Sequence, residues 1–383
     1  MTQAVAELIQ SAVERGAIAG AVGVWVRAGE SPRVVAGGWR DLERSSPMRA
    51  DTVFRIASMT KPITSLAALQ LVDQGRIELD APIETVLPAL RDAPVLDGYG
   101  GDGTPTLRPA RRPITLRHLL THTSGLAYTT WNEKLLEYRR RRPDDTPIAG
   151  RDVRTSAPLM FDPGEQWAYG TGTDWVGFAI EAATGRPLAA VLRDAVLEPL
   201  GMLDTAFDPP AEPVRLAGLA RRRADGGLER LDPASLPPRN FDSGGGGLFS
   251  TAVDYGAFLL ALLDPTFGTG LLGERLWAEM GKNQIGTLVA GQMQTFEPER
   301  SNSVALFAGT DPGWGLGFLI NPRAVVGGRA AGSLAWAGIY NSYFWVDRER
   351  AVAGALFTQI LPFCDPTVLD LLDRFERAVY AGA

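Results

Sequence analysis

Apolar and polar positions recur with two different periods in the first part of the chain. Residues 2–15 carry apolar side chains at helical spacing, whereas residues 21–26 and 33–38 are short β-rich runs separated by Gly and Pro. The pattern predicts an amphipathic helix followed by a β-hairpin. Residues 52–56 form another strand-like run, which leads into a predicted helix from about residue 58 to residue 75.

The middle of the chain, residues 76–235, has a more irregular and helical pattern. Residues 94–113 are rich in Gly, Pro and Asp and are predicted to form a loop, and the polar residues 140–155 are predicted to form a second loop. A short helix is predicted over residues 114–120, and two longer helices over residues 174–183 and 187–197.

The C-terminal part returns to short strand-like runs. A glycine-rich turn at residues 243–247 precedes a predicted helix over residues 252–263, and a last helix is predicted over residues 365–380. The strand-like runs between them are residues 315–320, 332–336, 343–347 and 352–359.

Strands at both ends and helices between them predict an α+β fold. We expect an antiparallel sheet built from both termini and flanked by helices, interrupted by a mostly helical insertion. The predicted sheet domain comprises residues 1–75 and 236–383, the helical domain comprises residues 76–235, and the active site is expected between them.

The composition is that of a soluble globular protein and excludes several partners. The chain has 383 residues, of which 45% are apolar and 21% charged, and a net charge of -6, which argues against nucleic-acid and anionic-membrane partners. No apolar run approaches the ~20 residues of a membrane span. A single cysteine, Cys364, excludes an intramolecular disulfide, and the first 14 residues lack the basic segment of a secretory signal, so a cytoplasmic protein is expected.

The strongest chemical candidate is an S-x-x-K pattern formed by Ser58 and Lys61 at the start of a predicted helix. Side chains three positions apart on a helix share a face and meet. The serine hydroxyl would lie among free backbone N–H groups, which can receive an oxyanion. A neighbouring lysine can accept the hydroxyl proton when burial favours its neutral form.

The rarity of lysine strengthens this candidate. Lysine occurs only at positions 61, 134 and 282, so 35 of the 38 basic residues are arginine. Arginine cannot act as a base near neutral pH, whereas lysine can. A lysine three residues after a serine is therefore more informative here than in a lysine-rich chain.

Two other chemistries fit the sequence less well. A Ser-His-Asp triad usually places its serine on a G-x-S-x-G turn, and this motif occurs nowhere in the chain. The two histidines, His118 and His122, have the spacing of metal ligands on a helix, but Leu119 breaks the H-E-x-x-H pattern and no third ligand follows. We predict helix-end packing and capping for both, with no metal and no cofactor.

At this point the sequence resembles the serine β-lactamase/penicillin-binding-protein superfamily, and within it the class C-like family VIII carboxylesterases. Nearly the whole chain takes part in the resemblance. The matching segments, in the order of the family, are residues 54–61 (FRIASMTK), 119–126 (LLTHTSGL), 163–169 (PGEQWAY), 199–202 (PLGM), 243–248 (SGGGGL) and 336–347 (WAGIYNSYFWVD).

The resemblance implies a catalytic tyrosine at Tyr169, in the second motif of the family. β-Lactamases of this type usually have Tyr-x-Asn there, whereas this chain has Thr171 in place of the Asn. The downstream Asp174 is interpreted as the N-cap of a helix. Tyr128 matches a position that often lines the site in family members and is carried as a candidate pocket residue.

The third motif is the informative departure from the family. β-Lactamases and cell-wall peptidases have Lys-Thr-Gly, whose lysine helps to bind a substrate carboxylate, whereas this chain has Trp336, Ala337 and Gly338. The match implies an oxyanion hole made by the backbone N–H groups of Ser58 and Ile339, with Trp336 and Gly338 beside the substrate. Loss of the cation at this position favours neutral esters over anionic β-lactams and peptides.

These observations predict a serine carboxylesterase that acts on neutral, short-chain, small-molecule esters through an acyl-enzyme on Ser58, with Lys61 and Tyr169 exchanging protons. Three alternatives remain open at this point. They are a β-lactamase or D,D-peptidase, an acyltransferase that uses the same acyl-enzyme, and a non-catalytic binding protein on the same fold.

Overall fold

The structure is a computed structural model that describes residues 2–146, 155–236, 240–263 and 271–382. The helices are α1 (Thr2–Glu14), α2 (Thr60–Asp73), α3 (Leu116–Leu120), α4 (Glu133–Arg141), α5 (Gly172–Thr184), α6 (Leu188–Leu192), α7 (Ala252–Leu263), α8 (Glu274–Met280) and α9 (Pro366–Ala381).

The strands are mostly short. They are β1 (Gly20–Arg27), β2 (Arg33–Gly38), β3 (Val53–Arg55), β4 (Val95–Tyr99), β5 (Pro105–Arg108), β6 (Leu219–Arg222), β7 (Leu228–Leu231), β8 (Phe249–Thr251), β9 (Gln292–Met293), β10 (Val304–Ala305), β11 (Gly313–Trp314), β12 (Leu319–Ile320), β13 (Leu334–Gly338), β14 (Ser342–Asp347), β15 (Val352–Phe357) and β16 (Ile360–Leu361).

One antiparallel sheet joins the two ends of the chain, as predicted. In the part of the chain that the structure describes it has seven strands, in the order β11-β12-β13-β14-β15-β1-β2. The N-terminal strand β1 pairs with β15, so that Val22 lies opposite Phe357. The α+β prediction is therefore confirmed, including the contribution of both termini to one sheet.

Helices cover both faces of this sheet because its side chains alternate between them. Trp345 on β14 packs against Phe375 of α9, with ring centroids 5.6 Å apart. Its neighbour on the same strand, Phe344, points to the opposite face and packs against Tyr255 of α7 at 5.6 Å. Both layers consist of buried apolar residues, which form one continuous core.

Two predictions for the middle of the chain were incomplete. Residues 94–113, predicted as a loop, contain the β4–β5 hairpin, because Val95 and Leu96 are buried and the backbone N–H of Leu96 donates to Leu159 at 2.8 Å. The predicted loop from residue 140 to residue 155 begins inside α4, which Asn132 caps, and its residues 147–154 lie outside the described residues.

The chain approaches the site along β3, turns through the 3-10 segment Ala57–Met59 and enters α2. Strand β13 passes next to this turn, and helices α3 and α5 pack together on the middle part of the chain. The domain division at residues 75 and 236 stays a prediction. In the described residues, no helix is both long and apolar enough to cross a bilayer.

Candidate active site

The turn between β3 and α2 presents Ser58 to a cleft. Ser58 is half-buried, whereas its neighbours Ala57 and Met59 are buried. Ala57 has a φ of 45°, a left-handed conformation that costs free energy for a residue with a Cβ. The backbone is therefore bent sharply one residue before the predicted nucleophile, at a place where strain often accompanies function.

Lys61 lies one helical turn further along and is fully buried, with a side chain that reaches Ser58. Its Nζ lies 3.3 Å from the Ser58 Oγ, 3.2 Å from the Tyr128 hydroxyl and 2.7 Å from the carbonyl oxygen of Gly245. Among the described residues no carboxylate forms an ion pair with Lys61. The hydrogen-bond partners given above are all uncharged oxygens, which suits a group that must exchange a proton with a hydroxyl.

Two tyrosines flank Lys61 in different ways. Tyr128 contacts the amine through its hydroxyl, and burial raises the pKa of Tyr128 well above its usual value. Tyr169 instead places its ring face 4.6 Å from Nζ, while its hydroxyl accepts a hydrogen bond from Trp336 Nε1 at 2.9 Å. Sequence reasoning treated Tyr128 only as a pocket residue and missed its direct contact with Lys61.

Asp174 accepts hydrogen bonds from the glycine-rich turn at residues 243–247, which lies beside the site. Its Oδ1 accepts hydrogen bonds from Ser243 Oγ at 2.5 Å and from the backbone N–H of Gly245 at 3.0 Å. A Cβ on Gly245 would lie 2.7 Å from the Asp174 carboxylate, so only glycine fits there. The interpretation of Asp174 as an N-cap was wrong, because Thr171 occupies that position and Asp174 lies in the first turn of α5.

The third motif lies on β13, next to the nucleophile turn. A Cβ on Gly338 would come within 2.5 Å of the Ile56 carbonyl oxygen, so the close approach of this strand requires glycine. Ile339 is half-buried and lines the cleft together with Ser58. Trp336 is only 3% exposed and lies behind Tyr169 rather than on the surface of the cleft.

The two histidines lie in different environments. His118 Nδ1 accepts a hydrogen bond from the backbone N–H of Thr115, and together they form the capping box of α3. His122 is packed among aromatic rings, including those of Tyr169 and Trp314, and burial lowers its pKa well below the usual value. Among the residues described, no group of three or more His, Cys, Asp or Glu side chains is arranged to hold a metal.

The cleft in front of Ser58 has a volume of about 900 Å³. Residues of both predicted domains line it, including Ser58 and Ile339 from one and Tyr128 and Tyr169 from the other. The structure thus brings together every predicted site residue, with Lys61, Trp336 and Gly338 one layer behind the cleft surface. This arrangement can support nucleophilic attack by a serine beside a buried amine.

Comparisons with known proteins show what the whole chain is similar to. The family model described as "Beta-lactamase" matches residues 5–375. Esterase EstB from Burkholderia gladioli is 34% identical over 385 residues, which cover 92% of this chain and 88% of that protein. Monacolin J acid methylbutanoyltransferase from Aspergillus terreus is 33% identical over 348 residues, covering 88% and 83%. The structure of unliganded simvastatin synthase from Aspergillus terreus superimposes with a TM-score of 0.86 at 30% identity, covering 100% of this chain and 98% of that one.

Proposed function

The chain belongs to the beta-lactamase family, and from that premise we propose that it is a serine carboxylesterase of the family VIII type, with Ser58 as the nucleophile. The observation that carries the proposal is the 3.3 Å contact between Ser58 Oγ and Nζ of the fully buried Lys61. The similarity to an esterase over most of the chain supports the same reaction class. The substrate is a small-molecule ester.

The first half of the proposed reaction forms an acyl-enzyme. Ser58 Oγ attacks the ester carbonyl while its proton passes to Lys61, and the developing oxyanion is held by the backbone N–H groups of Ser58 and Ile339. The C–O bond to the alcohol then breaks and the departing alkoxide takes up a proton. The proton that Lys61 took from Ser58 replaces the one given to the alkoxide, so that Lys61 is again able to accept a proton. In the second half water attacks the acyl carbon and gives one proton to Lys61, the bond between the acyl carbon and Ser58 Oγ breaks, and that proton passes to Ser58 Oγ as the acid leaves.

Tyr169 is proposed as the donor to the departing alkoxide. Because the Trp336 N–H is hydrogen-bonded to the Tyr169 oxygen, the phenol proton must point away from the indole. Tyr169 lines the cleft, so that proton is available to a bound ester. Trp336 is then a positioning residue, and Tyr128 holds the Lys61 amine from the other side.

The third motif supports esters that are neutral next to the scissile bond. In the β-lactamases and cell-wall peptidases that this chain resembles, a lysine at the position of Trp336 helps to bind a carboxylate. An indole cannot replace that charge-assisted contact. We therefore propose short-chain carboxylic esters as substrates, and slower turnover of nitrocefin than of simple esters.

Acyl transfer is the second candidate, because a cleft of about 900 Å³ has room for an acceptor alcohol as well as the acyl group. Two of the similar proteins named above are a methylbutanoyltransferase and a simvastatin synthase. Transfer differs from hydrolysis only in the nucleophile that attacks the acyl-enzyme. Product analysis with an added alcohol separates the two.

The decisive experiment compares hydrolysis of p-nitrophenyl butyrate by the wild type and by Ser58→Ala. We expect the variant to lose at least about a thousandfold in kcat, because the nucleophile is gone. Ser31→Ala removes an exposed hydroxyl outside the cleft and serves as the matched control. Equal rates for Ser58→Ala and Ser31→Ala would overturn the proposal.

A further inference from the structure

Two arginines line the cleft of the proposed esterase near Tyr340, the residue that follows Ile339. We propose that Arg55 and Arg300 form a carboxylate-binding subsite, so that the preferred ester carries a carboxylate on its acyl or its alcohol part. The inference rests on the proposed function and names the substrate class of the same cleft. It adds a charge requirement away from the ester group, whereas the part beside the third motif stays neutral.

The first argument is the absence of protein partners for these two charges. Two other arginines that are withdrawn from water have carboxylate partners, Arg329 with Glu376 at 2.5 Å and Arg222 with Asp365 at 2.7 Å. Among the residues that the structure describes, neither Arg55 nor Arg300 forms an ion pair. A guanidinium at a cleft without a carboxylate partner is available to a carboxylate ligand, which it can hold through two parallel hydrogen bonds.

Arg55 carries the stronger case because it is partly withdrawn from water. Its guanidinium has a long contact of 3.5 Å with the carbonyl oxygen of Ala217 and lies 5.5 Å from the centre of the Phe249 ring. Burial lowers the pKa of Arg55, as expected for a charge that loses water without gaining a counterion. A bound carboxylate would supply the missing counterion.

Arg300 is the second of these two arginines in the lining of the cleft. It is exposed at the cleft, and its charge acts on the phenols of both Tyr340 and Tyr128. Arg55 acts on the same Tyr340 phenol. Both arginines line the cleft together with Tyr340 and the proposed oxyanion residue Ile339.

The charge balance of the cleft points the same way. Among the described residues that line it, Asp174 is the only carboxylate, and it already accepts hydrogen bonds from Ser243 and Gly245. A cationic cleft in a chain with a net charge of -6 favours an anionic substrate over the rest of the surface.

Two matched pairs of esters test the subsite and locate the carboxylate. Mono-p-nitrophenyl glutarate against p-nitrophenyl butyrate places the charge on the acyl part, and 3-acetoxybenzoate against phenyl acetate places it on the alcohol part. In at least one pair we expect the charged ester to have a kcat/KM at least about tenfold higher than its neutral partner, because hydrogen bonds between ionised groups are stronger than those between neutral groups.

Variants then assign that preference to the two arginines. Arg55→Gln and Arg300→Gln should each lower the charged-to-neutral ratio of kcat/KM about tenfold. The control Arg323→Gln, at an exposed arginine outside the cleft lining, should leave the ratio unchanged. If Arg55→Gln fails to fold, the exposed Arg300→Gln carries the test.

Failure of the subsite and failure of the proposed function give different results. Turnover of the neutral esters without preference for either charged ester rejects the subsite and leaves the esterase standing. If Ser58→Ala retains wild-type activity, the proposed nucleophile is wrong. Calorimetric binding of mono-p-nitrophenyl glutarate and of 3-acetoxybenzoate to Ser58→Ala, with and without Arg300→Gln, tests the subsite without turnover. Unchanged affinity for both charged esters would reject it.

Discussion

Two buried cations of this protein are held in opposite ways. Arg329 lies between the sheet and α9, where its Nε donates to Glu376 at 2.9 Å and its charge is balanced by a carboxylate. Lys61 lies behind the cleft, where one carbonyl and two hydroxyl groups surround its amine. The first arrangement stabilises a permanent charge. The second provides no carboxylate partner among the described residues and places the amine within reach of the Ser58 hydroxyl, as a proton-transfer group requires.

The largest expected effect comes from making Lys61 resemble Arg329. Lys61→Arg keeps a positive charge, but arginine cannot accept the serine proton. We expect kcat for p-nitrophenyl butyrate to fall about a thousandfold, within the range of a lost general base. Steady-state kinetics measure it.

Lys282→Met is the control for this variant, because it removes an exposed lysine that pairs only with Glu279. It should keep the wild-type kcat. If Lys61→Arg kept more than a tenth of the wild-type kcat, proton acceptance by Lys61 would be excluded.

The second prediction concerns Arg329, the cation that is paired with a carboxylate. Glu376→Gln keeps the shape of the side chain but leaves the guanidinium of Arg329 buried without a counterion. The free energy of unfolding should fall by about 3 kcal/mol, as is typical when one partner of a buried pair is removed. Denaturant titration measures the loss.

The activity of folded Glu376→Gln is the discriminating readout. Because α9 lies away from the cleft lining, kcat should stay at the wild-type value. If Glu376→Gln had the stability of the wild type, the ion pair with Arg329 would not stabilise the fold as proposed. If the fully folded variant lost kcat, the ion pair would not be independent of the active site.

The smallest of the three effects is expected at Asp174, which acts on Lys61 through Gly245. Asp174→Ala removes the acceptor that fixes the N–H of Gly245, whose carbonyl oxygen holds the amine. We expect kcat to fall about tenfold with little change in KM, since one positioning hydrogen bond is worth about 1 kcal/mol. Asp174→Asn keeps an oxygen acceptor and should recover most of the loss.

Asp254 offers a matched control for Asp174. It is also buried in the first turn of a helix, and its Oδ2 accepts from a backbone N–H at 2.9 Å and from a threonine hydroxyl at 2.8 Å. Asp254→Ala should therefore lower stability without lowering kcat. If Asp174→Ala and Asp254→Ala lost kcat equally, Asp174 would have only a structural role.

Local patterns predicted much of the fold. The hairpin β1–β2 and helix α7 follow from periodic apolar positions flanked by turn residues, and α7 spans residues 252–263 as predicted. The β4–β5 hairpin escaped prediction because its buried positions, Val95 and Leu96, stand in a stretch dominated by Gly, Pro and Asp. Their burial depends on contacts with residues far along the chain.

The site was predictable where chemistry follows from spacing or from a motif. Ser58 and Lys61 meet because they are three positions apart across the 3-10 turn and the start of α2, and the family motif identified Tyr169. The contact between Asp174 and Gly245 joins residues 71 positions apart, and no local pattern encodes it. The same is true of Arg55 and Arg300, whose shared environment appears only when the cleft is assembled.

The tight approach of Gly338 to the Ile56 carbonyl has a consequence for how this enzyme can diversify. Any side chain at position 338 would push β13 away from the turn that carries the nucleophile. Selection for new substrates is therefore confined to positions on the wall of the cleft, where side chains face open space. A directed-evolution library should leave residue 338 fixed and vary residues such as Thr129, Arg300 and Tyr340.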